Sequence, residues 1–259
     1  MADTILSECD GPLRILTLNR PERHNAMDDA MSDLFQQLLF AALEENETSA
    51  ILIRANGQSF CSGRDTNVLG QRARDESDFH FVRRHQESRL RMMDATKPII
   101  AAVKGGAIGG GCELAIAADI RVSDTTLKMA LPEINYGVLP DTGGTQMMTA
   151  LIGPSRTKFM VMSGQKIDAA TALEWGAVDF VVEPGELDAR ALEIAHDIAA
   201  KPPINLALAK EMINLMHGST IRTGTRAELY AQSYLFKTED YQEARAALRE
   251  KRAPNYKGK

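Results

Sequence analysis

Pro98-Ile99-Ile100-Ala101-Ala102-Val103-Lys104-Gly105-Gly106-Ala107-Ile108-Gly109-Gly110-Gly111-Cys112-Glu113-Leu114-Ala115-Ile116-Ala117-Ala118 decides the fold. Its first six residues read as a strand apolar on both faces, the pattern of a strand inside a covered sheet. The glycine run that follows allows a tight turn, and Cys112 to Ala118 reads as a helix. Working outward, Arg14-Ile15-Leu16-Thr17-Leu18-Asn19 and Ala50-Ile51-Leu52-Ile53-Arg54 read as further strands, and Ile120-Arg121-Val122 and Leu127-Lys128-Met129 as short ones. Asp28 opens a helical pattern with Met31, Leu34, Phe35, Leu38, Ala42 and Leu43 on one face. Phe81, His85 and Leu90 indicate another helix after a charged, weakly patterned loop from Gly70 to Asp78. Strands alternating with helices imply an α/β core with crossover connections.

Past Pro184 the pattern turns helical, around 187–199, 204–217, 221–236 and 239–250, with Pro202-Pro203 as punctuation. The expected division is a core over 1–199 and a helical region over 200–259. Thirty Lys and Arg against 35 Asp and Glu give a net charge of −5. That is a poor electrostatic footprint for nucleic acid or an anionic membrane. No apolar run approaches a bilayer span, and the first residues carry neither a basic nor an apolar leader region. Cys9, Cys61 and Cys112 are odd in number and widely spaced, so neither a disulfide framework nor a zinc knuckle is expected. A reduced, cytoplasmic protein is the expectation, and Asn46-Glu47-Thr48 is then a chance sequon.

The glycine run also carries chemistry. A helix starting at Gly109-Gly110-Gly111 aims unpaired N–H groups and the positive end of its dipole at whatever lies above, which suits an anion or a carbonyl oxygen becoming negative. A sharp turn with no ligand is the alternative. The run matches neither G-x-G-x-x-G nor G-x-x-x-x-G-K-[ST], so nucleotide binding is unsupported. Glu113 falls in the first turn of a mostly apolar helix. It is either a surface acid complementing the dipole or an acid kept in apolar surroundings for a reason. Glu133, in Leu131-Pro132-Glu133-Ile134-Asn135-Tyr136-Gly137, reads as a loop carboxylate or the capping acid of a turn. Asp141 precedes Thr142-Gly143-Gly144-Thr145 and reads as an N-cap for the helix carrying Met147, Met148 and Leu151. No G-x-S-x-G and no H-x-x-x-H occurs, so serine-hydrolase and paired-histidine metal chemistry lack support. His80 and His85 read as ordinary polar residues, Trp175 as a packing anchor, and Cys61 and Cys112 as small buried thiols.

Taken in order, these pieces resemble the crotonase superfamily, the enoyl-CoA hydratase/isomerase family. The carrying residues are Leu18-Asn19-Arg20-Pro21-Glu22-Arg23-His24-Asn25-Ala26-Met27, Phe60-Cys61-Ser62-Gly63-Arg64-Asp65 and Gly109-Gly110-Gly111-Cys112-Glu113-Leu114-Ala115 with Asp119. Pro132-Glu133 with Gly137, Gly143-Gly144-Thr145, Glu174-Trp175-Gly176-Ala177-Val178 and Glu250-Lys251-Arg252-Ala253-Pro254 complete the set. The resemblance implies a spiral of ββα units with a C-terminal helical trimerisation region, assembled as a homotrimer or a hexamer. It implies a coenzyme A thioester as substrate, no separate cofactor and no metal. It places the thioester oxygen on the backbone N–H groups of Arg64 and Gly110; only Gly110 also follows from the helix terminus. Contacts to the CoA thioester are implied for Arg23, Ser62, Gly63, Arg64, Asp65, Thr66, Asn67, Gly109 and Lys251, with Arg252 a further cation near the tail.

Glu113 and Glu133 match the two glutamates of the hydratase-type members. The resemblance therefore implies syn addition of water across C2=C3 of a 2-enoyl-CoA, with Glu113 as base and Glu133 as acid. Asp141 departs from hydratases that have glycine there and is similar to the acid of dienoyl-CoA and ring-enoyl isomerases. An isomerase using Glu133 and Asp141 is the alternative, and a noncatalytic acyl-CoA-binding or protein-binding member is the third.

Overall fold

The computed structural model describes residues 3–68, 71, 73–215, 218 and 221–259. Strands β1 (Ile5–Asp10), β2 (Leu13–Leu18), β3 (Ala50–Ala55), β4 (Ile99–Val103), β5 (Gly106–Ile108), β6 (Ile120–Asp124), β7 (Lys128–Ala130), β8 (Ile167–Asp168) and β9 (Phe180–Val182) form two sheets. The larger has the order β1-β2-β3-β4-β6-β9 and the smaller β5-β7-β8. Helices α1 (Asp29–Glu44), α2 (Asp78–Asp94), α3 (Gly110–Ile116), α4 (Gly144–Ile152), α5 (Pro154–Ser163) and α6 (Ala169–Trp175) belong to the core. Helices α7 (Leu187–Ala199), α8 (Pro203–Asn214), α9 (Ile221–Leu235) and α10 (Glu239–Glu250) follow.

Period-two alternation explains the layers. Ile51, Ile53, Ile99, Ala101 and Val103 face one way, into the main core with Phe35, Leu39, Leu114 and Ala115. Ala50, Leu52, Ile100 and Ala102 face the other way, where Leu187, Ala191, Ala195 and Ala199 of α7 cover them. Both faces of β3 and β4 are thus dry, and β2, β3, β4, β6 and β9 pair in parallel through successive crossovers. The antiparallel strand β1, unread in the sequence, closes the edge on β2. Its outward residues are polar, which hides its period.

Each turn of chain gives one long strand to the larger sheet and one short piece to a second layer, then a helix. The short pieces are Met27 bridged to Arg64, Cys61 bridged to Ala107, and β5 paired with β7. This is the spiral of ββα units.

The helical expectations are met with shifted ends. Helix α1 is capped by Asp28, whose side chain accepts from the Met31 N–H. Leu90 lies on the outer face of α2, while Ser88, Arg89 and Met92 turn inward. The helix expected over 204–217 runs as α8 to Asn214; residues 216 and 217 lie outside the described set. Lys210 of α8 reaches back to the core, donating to Asp119 Oδ2 at 2.8 Å and to the Met92 carbonyl at 2.9 Å. Asp141 does not cap α4: Gly143 holds that position with no side-chain bond. The N–H groups in question go to another carboxylate, described below. Among the described residues no helix is long and apolar enough to cross a membrane, and no group of three or more His, Cys, Asp or Glu could hold a metal ion.

Candidate active site

Backbone stitching builds the floor of the site. The Cys61 N–H donates to the Gly106 carbonyl at 3.0 Å and the Ile108 N–H to the Cys61 carbonyl at 3.0 Å. On the other side the Met27 N–H donates to the Gly63 carbonyl at 2.8 Å and the Asp65 N–H to the Met27 carbonyl at 2.9 Å. In such a parallel bridge the N–H of the residue between, Arg64, turns away from Met27. The segment 61–64 is held from both sides beside the start of α3. A Cβ built on Gly110 would lie 3.9 Å from Gly63 Cα. Neither the Arg64 N–H nor the Gly110 N–H donates to a backbone carbonyl among the described residues outside the regular ladders.

Two glycines at the start of α3, its N-cap Gly109 and Gly111, are demanded by geometry. Gly109 has φ 55° and ψ −125°, a conformation that side chains avoid. A Cβ there would meet Glu133 Oε1 at 3.0 Å. A Cβ on Gly111 would meet the Cys61 carbonyl oxygen at 2.0 Å, so only glycine lets α3 start this close to the bridge.

Glu113 is 2% exposed, which rules out the surface-acid reading. Its Oε1 accepts from the Thr142 N–H and the Gly144 N–H, both at 2.9 Å, and its Oε2 accepts from Thr142 Oγ1 at 2.5 Å. This buried carboxylate does the capping expected of Asp141, and so ties α3 to the loop entering α4. Three donors fix its orientation and offset the cost of burying it.

Glu133 stands across from it, at the start of a single 3-10 turn, Glu133–Tyr136. Its Oε2 is buried without a hydrogen-bond partner. Burial, helped by the nearby charges of Glu113 and Asp141, pushes its pKa from the ordinary 4.5 up to about 7. The pair therefore consists of one acid held in place by three donors and one carboxyl that keeps its proton near neutrality.

Both face a cavity of about 470 Å³ whose lining includes Ser62, Gly63, Arg64, Thr66, Gly109, Gly110, Asp141 and Thr142. Apolar wall comes from Met27, Phe35, Ile108, Pro132, Val138 and Leu139, and α2 adds Phe81, Arg84, His85, Ser88 and Arg89. Asp141 stands at an exposed part of this lining, eight residues past Glu133. Gln86 Nε2 donates to the Asp141 carbonyl at 2.8 Å, linking α2 to the same loop. A larger, open depression lies elsewhere, between α10 and the tail; it is lined by Asp240, Glu243 and Arg252 and holds none of these groups.

Not every sequence candidate meets here. Asp65 is buried and paired with Arg20 at 2.9 Å, and its side chain accepts from the Asn67 N–H at 3.0 Å; both stabilise the loop outside the cavity lining. The Arg64 side chain turns to Asp29, so only its backbone is left to the site. Arg23 is exposed and outside the lining. Lys251 ends α10 in a left-handed conformation, and Arg252 pairs with Glu243 and Glu250, both 2.6 Å away, so neither reaches this cavity within one chain. Cys61 and Cys112 are fully buried thiols with pKa pushed upward, Cys61 to about 11, which makes them inert. Thr142, His85 and Arg89 were not foreseen as site residues. For His85 and Arg89 the sequence signal is on α2, where Phe81, His85 and Ser88-Arg89 recur at helical spacing on one face.

Known proteins resemble this chain in sequence and in fold. The family model for enoyl-CoA hydratase/isomerase matches residues 10–259. A short-chain-enoyl-CoA hydratase of Clostridium acetobutylicum is 34% identical over 255 residues, covering 96% of each chain. A 2,3-dehydroadipyl-CoA hydratase of Escherichia coli is 34% identical over 262 residues, covering 100% of each. A crystal structure of an enoyl-CoA hydratase from Bacillus anthracis superposes with TM-score 0.93 at 32% identity, covering 99% of this chain and 100% of that one. The chain belongs to the enoyl-CoA hydratase/isomerase family of the crotonase superfamily.

Proposed function

We propose that this protein is an enoyl-CoA hydratase, adding water syn across the C2=C3 bond of a 2-enoyl-CoA thioester. The observation that carries the reading is the unlike pair of glutamates on one cavity: Glu113 held by three donors, Glu133 raised to about 7. The thioester oxygen accepts from the N–H groups of Arg64 and Gly110, each contributing about 2.7–4 kcal/mol to a developing enolate. Glu113 takes a proton from water as its oxygen bonds to C3. The C2=C3 electrons move into the thioester as an enolate, and Glu133 delivers its proton to C2 as the enolate collapses. Both additions come from the glutamate side, which makes the addition syn. Afterwards Glu113 holds the proton that Glu133 has lost, and exchange with solvent resets the pair. The CoA thioester is the only organic group the reaction needs. The relatives named above carry different acyl chains in their names, so family membership leaves the acyl group open.

One observation favours isomerisation as the second reading. Asp141 lines the same cavity, and its charge helps raise Glu133. With water excluded, Glu133 and Asp141 could move a proton between two carbons of the acyl chain. Crotonyl-CoA absorbance with wild type, Glu113→Gln and Glu133→Gln, and product identification by mass spectrometry and NMR, separates the two. Loss in both variants, with a 3-hydroxyacyl product, supports hydration. Loss in Glu133→Gln alone with double-bond migration supports isomerisation, and binding without turnover supports a noncatalytic member.

We further propose a homotrimer or a dimer of trimers acting in the cytoplasm. The accessible surface is 13726 Å², against roughly 11,000 Å² for a compact monomer of this mass. Much of the apolar excess lies on α8, α9 and α10 and the links between them, where Ile213, Leu229, Tyr230, Tyr234, Phe236 and Leu248 are exposed. Association through that region would cover it, and would place Lys251 where a neighbour's ligand could be met. Sedimentation velocity tests the assembly.

A further inference from the structure

Arg89 is a cation that the hydration chemistry leaves unused. It lies on α2 in the cavity wall and is only 9% exposed. Two of its five N–H donors have partners: one meets Ser88 Oγ at 3.2 Å and another the Gly110 carbonyl at a long 3.5 Å. Its Nε is buried with no partner, and no carboxylate among the described residues lies within ion-pair distance of it. Burial pushes its pKa down, opposed only from a distance by Glu113, Cys61 and Asp141. The other arginines of this wall are neutralised. Arg84 pairs with Asp33 at 2.9 Å and Glu76 at 2.8 Å, and Arg64 pairs with Asp29.

His85, one turn before Arg89, is incomplete in the opposite sense, as an acceptor. Its Nδ1 faces the Phe81 carbonyl at 2.8 Å. A carbonyl only accepts, so the proton is on Nδ1 and Nε2 presents a lone pair. That Nε2 is buried and unpartnered. Six buried side-chain polar atoms lack partners among the described residues, and four belong to Arg84, His85, Arg89 and Glu133, all lining this one cavity. Each such orphan costs about 1–3 kcal/mol, and for Arg89 the missing partner is an acceptor, since its terminal nitrogens also keep N–H donors that Ser88 and Gly110 do not take. A saturated hydrocarbon chain against Arg89 would leave the guanidinium dry and unpaired.

We propose that Arg89 forms a subsite for a carboxylate on the acyl chain, so that the preferred thioesters are acyl-CoAs bearing a second, free carboxylate. The inference rests on the acyl-CoA reading but not on hydration. A carboxylate supplies the missing counter-charge and accepts from the spare N–H groups in the planar geometry that arginine favours.

Isothermal titration calorimetry with saturated thioesters tests it, because these bind without reacting. Adipoyl-CoA and hexanoyl-CoA share a six-carbon acyl chain and differ in the terminal carboxylate. Wild type should bind adipoyl-CoA at least about tenfold more tightly. Arg89→Met should abolish the difference, leaving hexanoyl-CoA affinity within about threefold of wild type. Hexanoyl-CoA binding as tightly as adipoyl-CoA to wild type overturns the proposal, as does an equal weakening of both ligands in Arg89→Met. If Arg89→Met does not fold, the wild-type pair of constants decides alone. Failure to bind either thioester sinks the acyl-CoA reading and the subsite with it. An adipoyl-CoA preference without any hydration of crotonyl-CoA leaves the subsite standing and sinks only the reaction.

Discussion

Replacing Glu133 by glutamine should make the protein more stable and nearly inactive at once. The carboxyl has a pKa of about 7 in the folded chain against an ordinary 4.5. A group raised in this way favours folding when protonated, so ionising it costs stability. The cost is absent below about pH 4.5, grows between there and pH 7, and is constant above. At 1.36 kcal/mol per unit the rise is worth at most about 3 kcal/mol, and partial exposure to solvent reduces it to about 1–2 kcal/mol. Glutamine has nearly the same shape and never ionises, so it escapes this penalty while leaving the orphaned Oε2 position uncharged.

Differential scanning calorimetry at fixed protein concentration should therefore show Glu133→Gln melting about 2–6 °C above wild type at pH 8. Near pH 5 the two should melt together. Hydration of crotonyl-CoA should fall by about 10²–10⁴ in kcat, the range of a lost general acid. A variant no more stable than wild type at pH 8 would refute the strained-acid account. Equal gains at both pH values would refute it too, because packing rather than ionisation would then be responsible.

The same carboxyl sets the pH profile. Because Glu133 must hold its proton to deliver it, kcat/KM for hydration should fall as pH rises past about 7, approaching tenfold per unit, in initial-rate assays. Gly109→Ala should place a methyl about 3.0 Å from Glu133 Oε1 in a backbone region hostile to alanine. Circular dichroism should remain native-like while kcat falls by about a hundredfold or more. Thr142→Val removes the hydroxyl that donates to Glu113 Oε2 and should lower kcat by about tenfold with little change in KM. Lys210→Met strands Asp119, whose pKa burial already raises, and should cost about 3–5 kcal/mol in urea unfolding while leaving the catalytic groups untouched.

How legible all this was depends on where each signal lies in the chain. The strands β3 and β4 were plain because both their faces are dry, so their sequences are continuous apolar runs. Strand β1 was not, because its buried residue, Ile5, is followed by half-buried Leu6 and then only exposed positions. Glu113 stood out because an acid among Leu114, Ala115 and Ile116 is costly without partners. What those partners are could not be read, since Thr142 and Gly144 lie about thirty positions away and only tertiary folding brings them in. For the same reason Asp141 took the reading of a cap. Local sequence favours the nearest acid, whereas the folded chain offers α4 a buried one from another helix.

The wall of the cavity illustrates the same division between local and long-range information. Its catalytic side is built from glycine turns and short motifs that announce themselves. Its specificity side is α2, whose inward face of Phe81, Arg84, His85, Ser88 and Arg89 looks in sequence like any surface helix rich in charge. Charge on a helix is ordinarily solvated, and nothing in the spacing says that Arg84 will be neutralised by Asp33 and Glu76 while Arg89, five residues on, will not. Both arginines line the cavity, and the difference is set by where the fold brings Asp33 and Glu76, which is beside Arg84 alone. Chemistry in this fold is thus carried by backbone geometry fixed at α3. On the proposal above, acyl selection rests on side chains of α2, of which Arg89 touches the backbone of α3 through one long bond to the Gly110 carbonyl. An Arg89→Met protein that still hydrates short apolar enoyl-CoAs, while losing its discrimination for a carboxylate, is the outcome that separation requires.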